Sequence, residues 1–348
     1  MKFIHESLFS SAIRSFLKTF FGIIGIGAAI IPIIIIIGIL GSGDTGYVST
    51  PTPVILPNAD GERVIHDATA PIILNVDISG VVGMKELTKD KVCEQLIQSR
   101  EGVYGDRVKA IMLTIHSPGG IASDGEAIYL AIKKYKEKYD VPVYAYTDSL
   151  CASGGYQIAL AADKIYATDM SLIGSVGAIF SPFFNVTGLM EKVGVEAKTI
   201  YSGKGKDAMN SVRPWTPDED AHFQNIIDAQ YEDFVALVVK ERPSVSKKKL
   251  VNEYGANIFI GKQAKKIGFI DESGATYDGT LTALATAAGL EPEEYQVIKL
   301  QTSNWIDTFF EKRSPLLTGT VEHTIDMSAT GIAPELMGKP LYLYNPIR

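Results

Sequence analysis

The feature that most constrains this chain is a run without one charged residue, TFFGIIGIGAAIIPIIIIIGILGSG, at residues 19–43. Hydrocarbon offers backbone N–H and C=O groups no outside partner, so a segment crossing it as a single strand of chain must be helical. About 20 residues suffice for the crossing. A cleaved signal peptide has an apolar core of only about 7–15 residues. The small residues Gly41, Ser42 and Gly43 keep cleavage open as the alternative. A buried core helix fits this length and apolarity poorly, and Pro32 is expected to kink the span without forbidding it. Lys2, Arg14 and Lys18 precede the run, and Asp44, Asp60 and Glu62 follow it. The positive-inside rule then gives a cytoplasmic N-terminus at 1–18, a single transmembrane helix at 19–43 in contact with membrane lipid, and an extracytoplasmic body. The expected location is the cell (inner) membrane.

Residues 44–70 mix Gly, Pro, Thr and Ser without periodicity and read as a linker. Buried-strand candidates follow at 72–79 (IILNVDIS), 110–116 (AIMLTIH), 141–147 (VPVYAYT) and 164–168 (KIYAT). Between the second and third, Ile128, Ala131, Ile132 and Tyr135 recur at helical spacing and predict an amphipathic helix. Strands alternating with helices imply βαβ crossovers and a mostly parallel α/β sheet. Past residue 210 the pattern turns helical: Thr216, Pro217 and Glu219 predict a cap, a first-turn proline and a capping box. NIFIGKQAKKIGFIDESG reads as strand, helix ended at Gly268, and short strand. The body is therefore placed at 71–300. In the extension, 301–348, NWIDTFFEKR is a helix candidate and PLYLYNPIR an apolar, proline-punctuated tail that could add a strand to a groove edge.

A net charge of −7, with no basic stripe beyond the first eighteen residues, argues against nucleic acid as a partner. The two cysteines, Cys93 and Cys151, lack metal-ligand spacing and are read as unpaired thiols. Nothing in the pattern calls for a cofactor or metal.

Two glycine-rich stretches follow strands. In His116-Ser117-Pro118-Gly119-Gly120 the glycine pair allows a tight turn that points N–H groups outward, as oxyanion donors or simply as a helix start. Ser117 reads as a turn residue. In CASGGYQIALAADKIYA, Ser153 opens a helix, where amides and dipole would favour an anionic intermediate, with Gly154 and Gly119 or Gly120 as donors. Ser153 is equally well a plain N-cap unless a base is found. Of His5, His66, His116, His222 and His323, none lies between Ser153 and residue 221. A lysine can serve if burial lowers its pKa by several units. Lys204 and Lys206 in TIYSGKGKDAMN are candidates, although spacing alone favours a solvated turn.

SPGG, ASGGY, ADKIYA, GSVGAI and SGKGKDAM, in this order, resemble the signal peptide peptidase A family: bacterial membrane-anchored serine proteases of the Clp protease/crotonase-like superfamily. The resemblance covers roughly residues 70 to 285 and the preceding anchor. It implies Ser153 as nucleophile, Lys206 as general base, Ser175 of Gly174-Ser175-Val176-Gly177 as the group orienting the lysine amine, and the backbone of Gly119, Gly120 and Gly154 as oxyanion hole. Lys204 falls at a variable position. It implies residual signal peptides and apolar peptide fragments as substrates. It also implies a homo-oligomer, with a ring-like octamer in the half-length form, where serine and lysine can come from neighbouring subunits. Two departures stand out: His116 where the family more often has Asn, and Tyr156-Gln157 for a tyrosine pair. The alternatives are a catalytically inactive protease-fold scaffold and a crotonase-type acyl-CoA enzyme. The anchor, an extracytoplasmic site where CoA is scarce, and the Ser–Lys pair count against the last.

Overall fold

The computed structural model describes residues 8–41, 52–85, 87–291, 294–301 and 340–343. The chain divides into two units, Met1–Ser49 and Thr50–Arg348. Among the described residues the first holds one helix, α1 (Leu8–Gly41), which contains Pro32. Its stretch Ile13–Pro32 is long and apolar enough to cross a membrane and has none of its residues buried. Phe16, Phe21, Ile23 and Ile26 are all exposed, the reverse of a core helix.

The second unit runs β1 (Thr52–Ile55), β2 (Ile72–Ser79), α2 (Lys89–Gln98), β3 (Val108–His116), β4 (Gly119–Ile121), α3 (Ala122–Tyr139), β5 (Val143–Thr147), β6 (Leu150–Ala152), α4 (Gly154–Ala159), β7 (Lys164–Ala167), β8 (Leu172–Gly174), β9 (Ile179–Phe180) and α5 (Thr187–Val193). It continues with α6 (Ala221–Glu241), α7 (Lys247–Lys249), β10 (Ile258–Ile260), α8 (Gly261–Ile267), β11 (Glu272–Ser273), α9 (Tyr277–Ala287), β12 (Gln296–Gln301) and β13 (Pro340–Leu343). The fold is α/β. Its main sheet has the order β1-β12-β2-β3-β5-β7-β11, parallel throughout except where β1 pairs antiparallel with β12.

A parallel sheet is covered on both faces, which explains its near-continuous apolar strands. Alternation along β2 sends Ile72, Leu74, Val76 and Ile78 into the core containing Val92 and Leu96 of α2 and Ile128 and Ile132 of α3. Ile73 faces the opposite way, into a core with Leu281 and Leu284 of α9. Burying each such side chain stabilises the fold by about 1.5–3 kcal/mol. The polar Asn75 in this strand is tolerated because its amide donates to Thr114 Oγ1 at 2.7 Å.

Two small sheets matter for the site. One has the order β10-β8-β6, with Ala152 opposite Gly174. The other has the order β4-β13-β9, so the tail strand lies between two strands of the body. The tail, whose composition allowed an added strand, thus forms the middle strand of this sheet. Its register places Tyr342 opposite Gly120 and Leu341 opposite both Ile121 and Ile179.

Two readings need correction. Part of the stretch read as linker is sheet, because β1 pairs with β12 and Leu56 packs against the core that holds Ile73, Leu281 and Tyr295. The helix expected from Thr216 begins instead at Ala221, after Asp218 at φ 60°. Glu219 accepts the Thr216 N–H at 2.8 Å as a capping box would, but it also accepts from Met209 N and Arg213, which hold it outside the helix. The helix candidate at 304–313 lies outside the described residues.

Candidate active site

Ser117-Pro118-Gly119-Gly120 follows β3 and Ser153 follows β5 and β6. Since β3 and β5 are neighbours in the parallel sheet, both segments emerge at the same sheet end, where such folds place their sites. Ser117 ties them together. Its N–H donates to the Leu150 carbonyl at 2.8 Å, its carbonyl accepts from Ala152 N at 3.1 Å, and its hydroxyl donates to the Gly80 carbonyl at 2.6 Å while accepting from Gly119 N at 3.1 Å. It is the turn organiser the sequence indicated.

Ser153 is 1% exposed and sits at φ 54°, ψ −119°. A non-glycine residue there stores strain of about 1–3 kcal/mol and needs its surroundings to hold it. They do: Ser153 N donates to the Gly174 carbonyl at 2.8 Å, and its own carbonyl accepts from Gln157 N at 2.9 Å. Although Ser153 stands in the cap position of α4, its hydroxyl makes no cap hydrogen bond. The plain N-cap therefore does not account for this serine. Because α4 is only six residues long, what it offers at Ser153 is single N–H groups rather than the dipole of a long helix.

Gly119 (φ 95°) and Gly120 (φ 157°) turn back beside Gly154, the residue after Ser153. A Cβ on Gly119 would fall 2.6 Å from Gly154 N, and one on Gly154 would fall 3.3 Å from Gly120 N. The three glycines thus form one nest. A Cβ on Gly155 would meet the Ser117 carbonyl at 2.8 Å, so this turn needs glycine as well. The nest is occupied by the tail. The Gly119 Cβ position lies 1.8 Å from the Tyr342 carbonyl oxygen, and that of Gly154 lies 3.2 Å from it. The Tyr342 ring stacks on Phe234 of α6 at 4.6 Å, and its hydroxyl donates to the Gln230 carbonyl at 2.6 Å.

Ser175, 6% exposed with φ 54°, follows Gly174, whose carbonyl holds Ser153. The structure therefore brings Ser153, Ser175 and the three glycines together. It does not bring Lys206 to them within one chain. Lys206 and Lys204 are exposed, and no hydrogen bond joins Lys206 to Ser153. The Lys206 loop is nevertheless braced. Arg213 Nε binds Asp207 Oδ2 at 2.5 Å, and its other nitrogens hold the Asp207 carbonyl at 2.5 Å and both Glu219 carboxylate oxygens. Arg213 keeps the Asp207 carboxyl below its usual range and Glu219 down to about 2. Sequence reasoning missed Arg213, whose partners are six residues away on either side and carry no motif.

His116 stands outside the nest, with Nδ1 3.3 Å from Asp148 Oδ1 and 3.4 Å from Ser149 Oγ, bracing two loops. Cys93 and Cys151 are free thiols, and full burial pushes the Cys151 thiol far up, out of reactive range. Among the described residues no group of three or more His, Cys, Asp or Glu side chains could hold a metal ion.

The model of peptidase family S49 matches residues 135–291. A putative protease of Synechocystis sp., slr0021, is 33% identical over 66% of this chain and 79% of its own length. The chain belongs to peptidase family S49, the signal peptide peptidase A family. A putative signal peptide peptidase SppA of Enterococcus faecium is 28% identical over 73% of this chain and 78% of its own. The chloroplastic serine protease SPPA of Arabidopsis thaliana is 32% identical, over 53% of this chain but only 27% of the plant protein. Among solved structures, a ClpP1 mutant from Listeria monocytogenes aligns at 20% identity and a TM-score of 0.38 over 59% of this chain and 94% of that one. As a member of family S49 the chain is a peptidase.

Proposed function

We propose that the chain is a membrane-anchored serine endopeptidase in which Ser153 is the nucleophile, Lys206 the general base and Ser175 the group that orients the lysine amine. The carrying observation is the seat of the Tyr342 carbonyl against Gly119 and Gly154. The Tyr342–Leu343 bond stands in for a substrate peptide bond, bound in extended form between β4 and β9. In the reaction, Ser153 Oγ attacks the carbonyl carbon and its proton passes to the neutral Lys206 amine. The oxyanion is held by N–H groups of Gly154 and the Gly119–Gly120 turn. The intermediate collapses, the lysine returns the proton to the leaving amine, and water hydrolyses the acyl-enzyme.

A neutral lysine requires desolvation, since a free one has a pKa near 10.4. The exposed Lys206 acquires that environment only when a second copy covers it. The arm between β9 and α6 carries exposed Leu189, Val193, Val195 and Ile200, an apolar surface suited to such contact. The active form is a homo-oligomer, and Lys206 of one copy serves Ser153 of the next. α1 anchors the enzyme, with its N-terminus cytoplasmic and the peptidase outside, where residual signal peptides and apolar fragments collect. Anchoring raises the effective concentration of enzyme at the source of such peptides.

The test is hydrolysis of a fluorogenic peptide by the full-length protein in detergent. Ser153→Ala and Lys206→Ala each lower kcat by at least about a thousandfold, and Lys204→Ala keeps most of the rate. Undiminished hydrolysis by Ser153→Ala overturns the proposal.

A further inference from the structure

Among the described residues 182–220, the arm between β9 and α6, only one is buried, and it is a carboxylate: Asp207, 8% exposed. It is the residue after Lys206. An arm without buried apolar side chains takes its shape from polar contacts, and here they converge on Arg213. All five N–H donors of its guanidinium are used. Nε donates to Asp207 Oδ2 at 2.5 Å. Nη1 donates to the Pro214 carbonyl at 2.9 Å and to Glu219 Oε2 at 3.0 Å. Nη2 donates to the Asp207 carbonyl at 2.5 Å and to Glu219 Oε1. The acceptors are braced in turn. Asn210 Nδ2 donates to Asp207 Oδ1 at 2.6 Å and to Thr199 Oγ1 at 2.9 Å, and Trp215 Nε1 donates to the Asn210 carbonyl at 2.8 Å. Glu219 accepts the N–H groups of Met209 and Thr216, each at 2.8 Å. Asn185 Nδ2 donates to the Arg213 carbonyl at 2.7 Å, tying the clamp to the residues before α5. Lys206 stands one residue outside the clamp, in a turn closed by its N–H on the Gly203 carbonyl at 3.2 Å. Its amine is exposed and meets no partner among the described residues.

We propose that Arg213 is a positioning residue for Lys206: its clamp on Asp207 fixes the backbone of the lysine before assembly, so that the amine reaches Ser153 of a neighbouring copy already aimed. The proposal rests on the peptidase reading above and adds the device that sets its base. Ion pairs near the surface contribute little to global stability, so a staple for the fold explains this network poorly. What the network supplies is geometry. A guanidinium is a rigid planar fork, and here it fixes two carboxylates and two carbonyls relative to one another. Holding the Lys206 backbone removes part of the freedom of a long side chain, and contact with the neighbouring copy removes the rest. The precision matters because a misplacement of about 1 Å at a reacting group costs about a hundredfold in rate. The clamp does not itself titrate where a lysine base works, since Arg213 holds Asp207 below its usual range and Glu219 down to about 2.

The experiment measures kcat and KM for a fluorogenic peptide across the pH range, using full-length protein in detergent. Native protein is compared with Arg213→Lys, and the oligomer mass of each is checked. The variant keeps the positive charge but lacks the fork. Its kcat is expected to fall about tenfold or more while KM stays within about twofold. The acidic limb of its kcat/KM profile moves to higher pH, because a loosely held lysine is less desolvated and keeps its proton longer. Lost stability alone would reduce the amount of assembled enzyme and leave the limb in place. Should Arg213→Lys fail to assemble, Asn210→Ala, which spares every contact of Arg213, is expected to move the limb the same way by less. An unmoved limb in an assembled variant, with or without a fall in rate, overturns the positioning role alone when Lys206→Ala is inactive. Full activity in Lys206→Ala overturns the peptidase reading and this inference with it.

Discussion

At the scale of the residue, the site depends on backbone conformations that side chains rarely adopt. Gly119 is the extreme case. Its φ of 95° and the 1.8 Å approach of the Tyr342 carbonyl to the Cβ position leave no room for a methyl group. Gly119→Ala is predicted to lower kcat by about a hundredfold or more by displacing an oxyanion donor, with a normal far-ultraviolet circular dichroism spectrum; full activity would remove the nest from the mechanism. Arg213 acts at a distance, through the Lys206 loop. Glu219 has a folded value of about 2 against an ordinary 4.5. A depressed carboxylate stabilises the fold above its unfolded value, and the contribution is lost as pH falls toward the folded one. The protection that Arg213 gives the loop is therefore present above about pH 4.5 and fades toward pH 2. Limited proteolysis between residues 203 and 219 checks this: Arg213→Ala is cut faster than the native protein at pH 7, and the difference shrinks as the pH is lowered.

At the scale of the element, the tail strand is the part most open to experiment. Removing residues 340–348 takes away the middle strand of β4-β13-β9. Free peptides then meet no competitor, and kcat/KM for a small peptide is predicted to rise severalfold; an unchanged value shows that the tail does not hold the groove in solution. The elements differed in how far their sequence exposed them. β2 was legible to the residue, because a strand buried on both faces is a mostly apolar run, here broken only by Asn75, Asp77 and the terminal Ser79. So was the end of α8, where Gly268 adopts φ 96°. β1 was not legible: its partner β12 lies over 240 residues away, and Pro and Thr hid the strand. The helix start at Ala221 was missed because Arg213 and Met209 draw Glu219 away from its capping role. The glycine nest could be read from its motifs, whereas the seat of Tyr342 on it depends on a pairing no local pattern encodes.

At the scale of the whole molecule, the exposed Lys206 is the fact that most needs explaining. Motif order singled it out, but no sequence pattern shows which copy's serine it serves. Mixing Ser153→Ala and Lys206→Ala chains, each inactive, should restore activity if the pair is completed between copies, since mixed assemblies contain some sites with both residues intact. Failure of mixed, demonstrably co-assembled chains to hydrolyse peptide would place the pair within one chain. The central claim, that Ser153 is a nucleophile activated by Lys206, is tested most directly by fluorophosphonate labelling of the assembled full-length protein, read by intact mass. The account predicts one adduct per chain in the native protein and in Lys204→Ala, and none in Ser153→Ala or Lys206→Ala. An adduct that persists in Ser153→Ala, or that is lost in Lys204→Ala and kept in Lys206→Ala, would contradict it.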